Sequence, residues 1–462
     1  MIRKRVYLLV LAGSLILAEL VGAPSSIAIR EAKVLGHAEE RAQRLAEQVL
    51  GNDREKFVDY TTTGGTWNVK NDSTWCSGFV PGIYWYLWAI TGEAGWRDLA
   101  MKWTEGVRSR ATATDNDTGF QVYESFGLGY AFDETLRSNY GPVLLQGADT
   151  LVNQRYNPDI GCFRSWDQNL TDPYSGLFEV NIDQMMNLEL ILWAGLNGGP
   201  PEYVDYAVSH ADKTWEHNVR PDGSTYHVVS YNLDGTVDSK RTHQGWTRDS
   251  TWSRGQAWAV YGYTMVYRYT GLPRMLSRAI RCYDYFIRET ILDDNNYIPY
   301  SDFDAPLDSR NPRDTSAGAI VASAALELYQ ITGDRRYLMN AEAILGSLSS
   351  PQFLTIGWGW QSILGGASEK WGRSDVGAIF ADFYLLEALY RWELVEQPPA
   401  QVTGSWAGYD VLDSHFVDTG DWMGWMLARD APYLYHYGLE DWLYVENSTV
   451  SDQGAWFYAF RP

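Results

Sequence analysis

One punctuation mark recurs along this chain: an apolar run of helical length ends in Thr-Gly, and a second run of helical length comes at once after it. Ile83–Ile90 stops at Thr91-Gly92 and leads to Trp96–Arg110, a run closed by Thr270-Gly271 precedes Leu276–Glu289, and one closed by Thr332-Gly333 precedes Tyr337–Leu348. Glycine just past a helix end supplies the left-handed conformation that most residues resist. Leu192-Trp-Ala-Gly195, followed by Asn-Gly-Gly-Pro-Pro, reads as a looser copy before Tyr203–His217. Links this short join antiparallel helices. The tags lie roughly 60–110 residues apart, and Ile29–Val395 accommodates about six such hairpins. Repeated hairpins either stack as an open solenoid or close into a ring. A solenoid has a shorter and stricter period, whereas long loops rich in Gly, Asp and Trp precede several helices here, which suits a ring with a funnel at one end. The expected fold is therefore all-α, an (α/α)6 toroid over residues 29–397, with strand-like pieces such as Ser224–Tyr231 decorating its loops. Past Pro398-Pro399 the pattern changes to short aromatic strand-like runs, so residues 400–462 read as a small β-rich appendage that packs on the main domain rather than folding alone.

Arg3, Lys4 and Arg5 precede the apolar run Val6–Leu17, and small residues stand at 21–23. Residues 1–23 thus read as a signal peptide cleaved near Ala23, giving an exported protein, periplasmic or extracellular; an uncleaved anchor is the alternative. Removing that segment takes off three positive charges and one negative, moving the net charge from −21 to −23. Such a balance argues against nucleic acid, and against membrane association beyond export, because both need a basic footprint. Cys76, Cys162 and Cys282 are too few and too scattered for a disulfide framework or a metal cluster. No zinc, phosphate-loop, dinucleotide or serine-elbow motif occurs, so no metal or cofactor is expected. Trp and Tyr number 21 and 31, a richness common where saccharides bind, although such rings also fill helical cores.

Thr242–Tyr263 is the densest stretch, with Trp246, Trp252, Trp258, Arg248, Arg254, His243 and Gln244. On a helix starting near Thr251, Arg254 and Trp258 share one face, while Gly255, Ala259 and Gly262 form another that lets a neighbouring helix come close. A guanidinium beside an indole suits a planar anionic sugar; the plain alternative is an arginine snorkelling from a packed helix. Chemistry is left to carboxylates at loop–helix junctions. Asp117, in Asp-Asn-Asp-Thr-Gly-Phe, and Asp183, heading the apolar run to Trp193, both stand where aspartate commonly caps a helix. Asp167, Asp249, Asp314 and Asp382 occupy comparable contexts, so position alone does not select the pair. What distinguishes Asp183 is that Asn187 and Glu189 interrupt the apolar run behind it, polar groups that are costly unless they face a cavity or a partner.

The ordered set Trp75-x-Ser-Gly-Phe-x-Pro-Gly, Asp117-Thr-Gly-Phe, Asp183-Gln-Met-Met-Asn-Leu, Arg220-Pro-Asp-Gly-Ser-Thr-x-His227, Gln244-Gly and Trp252-x-Arg254-Gly-Gln-Ala-Trp258, completed by Ala381-Asp-Phe-Tyr-x-Leu-Glu-Ala-Leu, resembles the unsaturated glucuronyl hydrolases, glycoside hydrolase family 88. The resemblance covers about Ile29–Trp392 and excludes the C-terminal appendage. It implies an (α/α)6 barrel that removes 4,5-unsaturated uronic acid from the non-reducing end of lyase-made oligosaccharides by hydrating the double bond. It also implies Asp183 as general acid/base and Asp117 as the second essential aspartate. A helix N-terminus lowers the pKa of Asp183 while an acid needs it raised, and Asp117 is the carboxylate expected to push it up, the two titrating jointly. Trp75, His227, Gln244, Arg254 and Trp258 carry over as substrate contacts, Arg254 for the uronate carboxylate. Asn116 departs from the histidine expected in many relatives. Ser368, Lys370 and Arg373, in the loop Gly365–Arg373, match a region that distinguishes sulfated sugars, though solvated loop charges are an equal reading. Rival readings are the related family 105, which takes unsaturated galacturonyl-rhamnose or ulvan-type products, a polysaccharide lyase on an α/α toroid, and a non-catalytic sugar-binding protein.

Overall fold

The three Thr-Gly tags close their helices with the same set of bonds. In the computed structural model, which describes residues 26–167, 176–294, 296–396 and strands between 405 and 459, with backbone alone at 26–31, 291–294, 396 and in those last strands, Gly92, Gly271 and Gly333 have φ of 69°, 62° and 72°. Each glycine N–H donates back to the helix, to Trp88, Tyr267 and Tyr329 carbonyls at 2.8, 2.8 and 2.7 Å. The threonine explains itself in the same way three times. Thr91, Thr270 and Thr332 each donate a hydroxyl to the carbonyl four residues back at 2.7 Å. Each hydroxyl also accepts the N–H two residues on, at 3.2–3.3 Å. One hydroxyl therefore adds a second bond to a carbonyl of the last turns and takes up an amide of the link. The looser copy is corrected: Gly195 lies inside its helix, where a Cβ would come within 2.8 Å of Val204, and the left-handed residue is Gly198.

Thirteen α-helices run in order among the described residues: α1 Ser26–Arg44, α2 Phe79–Thr91, α3 Ala94–Val107, α4 Thr118–Val122, α5 Leu128–Phe132, α6 Arg137–Arg155, α7 Gln184–Leu196, α8 Glu202–His217, α9 Ser253–Thr270, α10 Pro273–Asp294, α11 Thr315–Thr332, α12 Arg335–Leu348 and α13 Ile379–Glu396. The chain is mostly helical, with hairpin partners α2/α3, α7/α8 and α9/α10 in close contact. The first helix is shorter than the periodicity to Asn52 suggests: a π-type turn at Leu45–Val49 succeeds α1, and Gly51 and Asn52 turn the chain at positive φ.

Small antiparallel sheets sit in the loops: β1 (Phe57–Thr61) with β2 (Trp67–Lys70), β3 (Tyr156–Asn157) with β4 (Cys162–Phe163), β5 (Phe178–Asn181) with β6 (Val228–Tyr231) and β7 (Val237–Arg241), and β8 (Ala367–Lys370) with β9 (Arg373–Val376). The β5–β6–β7 sheet positions the head of α7, because β5 leads into that helix and the segments flanking β6 and β7 supply loop residues beside it.

The chain divides into two compact units. One comprises the residues up to Ala324 with Ala341–Tyr390. Its core includes the α7–α9 contact, where a Cβ on Gly262 would meet Met185 at 2.6 Å, so the small-residue face of α9 does admit a neighbouring helix. Glu387, on α13, accepts hydroxyl bonds from Tyr86 and Tyr261 at 2.8 Å and from Ser323 at 2.7 Å, tying α2, α9 and α11 to one buried carboxylate. The other unit comprises Ala325–Asn340 and Arg391 onward. It holds a seven-stranded antiparallel meander, β10–β16, whose strands pair strictly in chain order between Ser405 and Ala459, and a Glu327–Arg391 ion pair at 2.8 Å. The proposed export segment, residues 1–23, lies outside the described residues.

Gly271→Ala places a Cβ in open space but in a left-handed backbone, so it should cost about 1–2 kcal/mol of stability by conformational strain alone. Gly271→Asn should cost less, because asparagine tolerates that region; urea denaturation of the two variants measures the difference.

Candidate active site

Asp117 and Asp183 occupy the N-cap positions of α4 and α7, yet neither side chain makes a capping bond. The capping duty on α7 falls to Asn181, whose Oδ1 accepts from the Gln184 N–H at 3.1 Å and from the Ser165 hydroxyl at 2.8 Å. Asp183 is thereby left with a carboxylate 18 % exposed, its Oδ2 3.3 Å from His227 Nε2. His227 itself is buried, its ring 4.6 Å from that of Trp252. Its Nδ1 accepts the backbone N–H groups of His243 and Gln244 at 3.2 and 3.3 Å. An acceptor nitrogen carries no proton, so the ring hydrogen lies on Nε2, the nitrogen that faces Asp183. The resemblance puts His227 on substrate; the structure places it behind Asp183.

Asn187, one turn into the helix that Asp183 heads, reaches Asp117. Its Nδ2 donates to Asp117 Oδ1 at 3.2 Å and its Oδ1 accepts the Phe120 N–H at 2.9 Å. The approach is possible because residue 119 is glycine: a Cβ there would lie 2.5 Å from Asn187 Cα. Asp117 is pushed up to about 8, first by burial, then by the charge of Asp115, with Asp183 adding to the rise. Hydrogen bonds from Asn187 and Asn116 pull the other way. Asp117, expected as the carboxylate that raises its partner, is itself a raised group, and burial is the leading cause. Asp117 therefore retains its proton at neutral pH.

Aromatic rings wall the pair. Trp75, half-buried, lies 5.5 Å from Phe120 and 5.0 Å from Phe380. Trp258 lies 5.4 Å from Phe120 and 5.5 Å from Tyr384 and is wholly buried. It therefore backs Phe120 instead of presenting an open face. Arg254 is likewise 1 % exposed. Its guanidinium pairs with buried Asp314 at 3.2 Å, donates to the Glu369 carbonyl at 2.8 Å and to the Ser368 carbonyl, and lies 4.4 Å over Trp252. Both terminal nitrogens already bind β8 and Asp314, so the expected fork onto a uronate carboxylate would form beside these bonds. Arg254 fixes the β8–β9 hairpin to α9.

Gln244 serves the same hairpin: its Nε2 donates to the Glu369 carbonyl at 2.9 Å and its own carbonyl accepts the Trp371 N–H at 2.8 Å. Ser368, expected as a sulfate contact, is buried, its amide bonded to Asp314 and its carbonyl to Arg254. Arg373 is exposed and paired with Glu369 at 2.8 Å, which leaves Lys370 as the exposed hairpin cation without an ion pair among the described residues. Of the other junction aspartates, Asp167 pairs with Arg155 at 2.8 Å, and Asp382 accepts the Ile363 and Leu364 N–H groups at 2.9 Å.

Sequence reasoning missed Asn181 and Asp302. Asp302 accepts the Trp246 N–H at 2.8 Å and the Ser250 hydroxyl at 2.7 Å, holding the loop that carries Gln244. Burial raises Asp302 to about 6. Nothing in its local sequence signals that duty. Asn187 did carry a signal, as a polar break in an apolar helix.

These contacts predict the behaviour of two variants. Asp115→Asn should lower the titration of the Asp117 carboxyl from about 8, read by carbon NMR of labelled aspartate, because it removes the nearest like charge while keeping the oxygen that accepts the Asp117 N–H. As the folded pKa exceeds the ordinary value of 3.8, the ionisation of Asp117 opposes folding, and stability should fall as pH rises from 3.8 to about 8. Arg254→Lys keeps charge but loses the fork, and should destabilise the protein by on the order of 3 kcal/mol in denaturant titrations.

Comparison with known proteins fits this arrangement. No protein-family model matches the chain. A curated unsaturated glucuronyl hydrolase from Formosa agariphila is 39 % identical over 325 residues, covering 69 % of this chain and 79 % of that protein. One from Bacillus sp. strain GL1 is 32 % identical over 382 residues, covering 78 % and 96 %. The crystal structure of an unsaturated glucuronyl hydrolase specific for heparin superposes with a TM-score of 0.73 at 33 % identity, covering 80 % of this chain and 98 % of that one. This chain belongs to the unsaturated glucuronyl hydrolases, which are glycoside hydrolases.

Proposed function

We propose that the chain removes 4,5-unsaturated uronic acid from the non-reducing end of lyase-generated oligosaccharides, of glycosaminoglycan or ulvan type. The observation that carries this reading is a pair of aspartates at two helix N-termini, neither engaged in capping, of which Asp117 is held by Asn187 from the helix of Asp183 and keeps its proton at neutral pH. Asp183 acts as general acid and then base. Protonated in the reactive state, it gives that proton to C4 of the double bond and takes one from the water whose oxygen attacks C5, which restores it. The product of that addition is a hemiketal at C5. Its ring opens to a C5 ketone, leaving a hemiacetal at C1 that expels the leaving sugar. Because no displacement occurs at the anomeric carbon, the usual relation between carboxylate spacing and stereochemistry does not apply.

His227 Nε2 stands 3.3 Å from Asp183 Oδ2, and the protonated Asp117 keeps its own negative charge away from a substrate that is itself anionic. Trp75 and Gln244 are kept as substrate contacts on the family resemblance, and Lys370 is the hairpin cation left to meet a sulfate. The six-hairpin ring with its boundary near Pro398-Pro399, and export through residues 1–23, belong to the same reading; the Thr-Gly hairpins and the Arg3–Arg5 run before Val6–Leu17 support them.

Asp183→Asn should lower turnover of an unsaturated uronyl disaccharide by roughly 10²–10⁴-fold, followed as loss of the absorbance of the conjugated double bond, while substrate binding in calorimetry persists. Wild-type turnover in that variant would sink the assignment, and a rise in absorbance with saturated polymer would mark a lyase instead.

A further inference from the structure

Between α8, α10 and the turn at 218–226 lies a groove of about 930 Å³, entirely within the first compact unit. Trp215 and Tyr226 line it together with Arg220, Lys240, Arg278 and Arg281, against the acids Asp212 and Glu216. Four cations facing two acids is a local excess of positive charge on a chain whose net charge is −21. The residues divide by duty. Arg220 lies 3.7 Å over the Tyr226 ring and holds the Thr225 carbonyl at 3.0 Å, while Arg278 pairs with Asp212 and lies 5.3 Å over Trp215. These two stiffen the walls. Lys240 is different: among the described residues it forms no ion pair within 4 Å, Glu216 acting on it only from farther off, and its ammonium stands 5.4 Å over Tyr226. Burial and the neighbouring Arg220 hold it below the ordinary lysine range, the condition of a cation that an incoming anion would relieve. Arg281 is exposed at the groove edge.

The groove is preformed. Gly223 packs so closely that a Cβ would lie 2.6 Å from the Arg281 carbonyl oxygen, and Gln256 Nε2 pins the Gly223 and Cys282 carbonyls at 2.8 and 2.9 Å. It is also separate from the aspartate pair. Tyr226 lines the groove, whereas the next residue, His227, is buried against Asp183.

Aromatic faces interleaved with cations in a rigid cleft match a sugar that carries negative charge. We propose that this groove is an accessory site for saturated, uronate-bearing oligosaccharide, with the sugar face on Trp215 and carboxylates met by Lys240 and Arg281. The ligand class rests on the proposed saccharide function, but its test does not use turnover as the primary readout. The probe is a saturated, unsulfated hexasaccharide of alternating glucuronate and N-acetylglucosamine, which lacks the C4=C5 bond, titrated calorimetrically into the full chain. Wild type should bind it, and Lys240→Ala/Arg281→Ala should bind it on the order of tenfold more weakly. The same double variant should keep wild-type melting and wild-type turnover of an unsaturated disaccharide, and the hexasaccharide should not compete with that disaccharide. No binding by wild type, equal binding by the double variant, competition with the disaccharide, or binding only of a sulfated hexasaccharide would each overturn the proposal. Loss of catalysis in Asp183→Asn with hexasaccharide binding intact separates the two sites.

Discussion

Two helix N-termini cannot bring their first residues together unless some backbone comes within reach of another backbone, and here that happens at Gly119. With a Cβ excluded to 2.5 Å from Asn187 Cα, α4 and α7 lie closer than two side-chain-bearing helices can. The closeness lets one amide, Asn187, touch both the Asp117 carboxylate and the Phe120 N–H. Everything specific about the acid pair depends on it. A longer approach would admit water between the carboxyls and return Asp117 toward its ordinary range, since burial is the main reason it holds its proton.

Around that contact the molecule arranges concentric support. His227 is oriented by two amides of the 243–244 segment, that segment is anchored by Asp302 and by Gln244, and Gln244 meets the β8–β9 hairpin that Arg254 and Asp314 secure. Buried ion pairs of this kind contribute little net stability over apolar packing, but losing one member is expensive. Their effect is positional: they determine where a loop stands relative to a helix, to within the tolerance that acid–base chemistry requires.

Much of the helical framework is legible in the sequence because its cues are local. Glycine after a helix, with threonine before it, can be read from two letters, and the structure shows why both are needed. What the letters leave out is of long range. Gly195 has the right composition but lies a turn too early, because packing against Val204 requires a small residue there. Arg254 and Trp258 read as a ligand face since spacing puts them on one side of a helix; spacing does not say whether that side meets solvent or another layer of protein. The seat of the raised proton, on Asp117, is invisible for the same reason. Burial and the charge of Asp115 are properties of the assembled site, not of a motif.

Asn181 carries a consequence for how such a chain changes over generations. Since it, and not Asp183, closes the head of α7, the carboxylate contributes no capping bond to folding. Selection for a well-folded, long-lived protein has no capping bond through which to retain Asp183; selection for the reaction does. A descendant of this fold that no longer needed the chemistry could drift at residue 183 without losing the α7 cap, and the identity of that one residue would then separate working enzymes from relatives that keep only the shape.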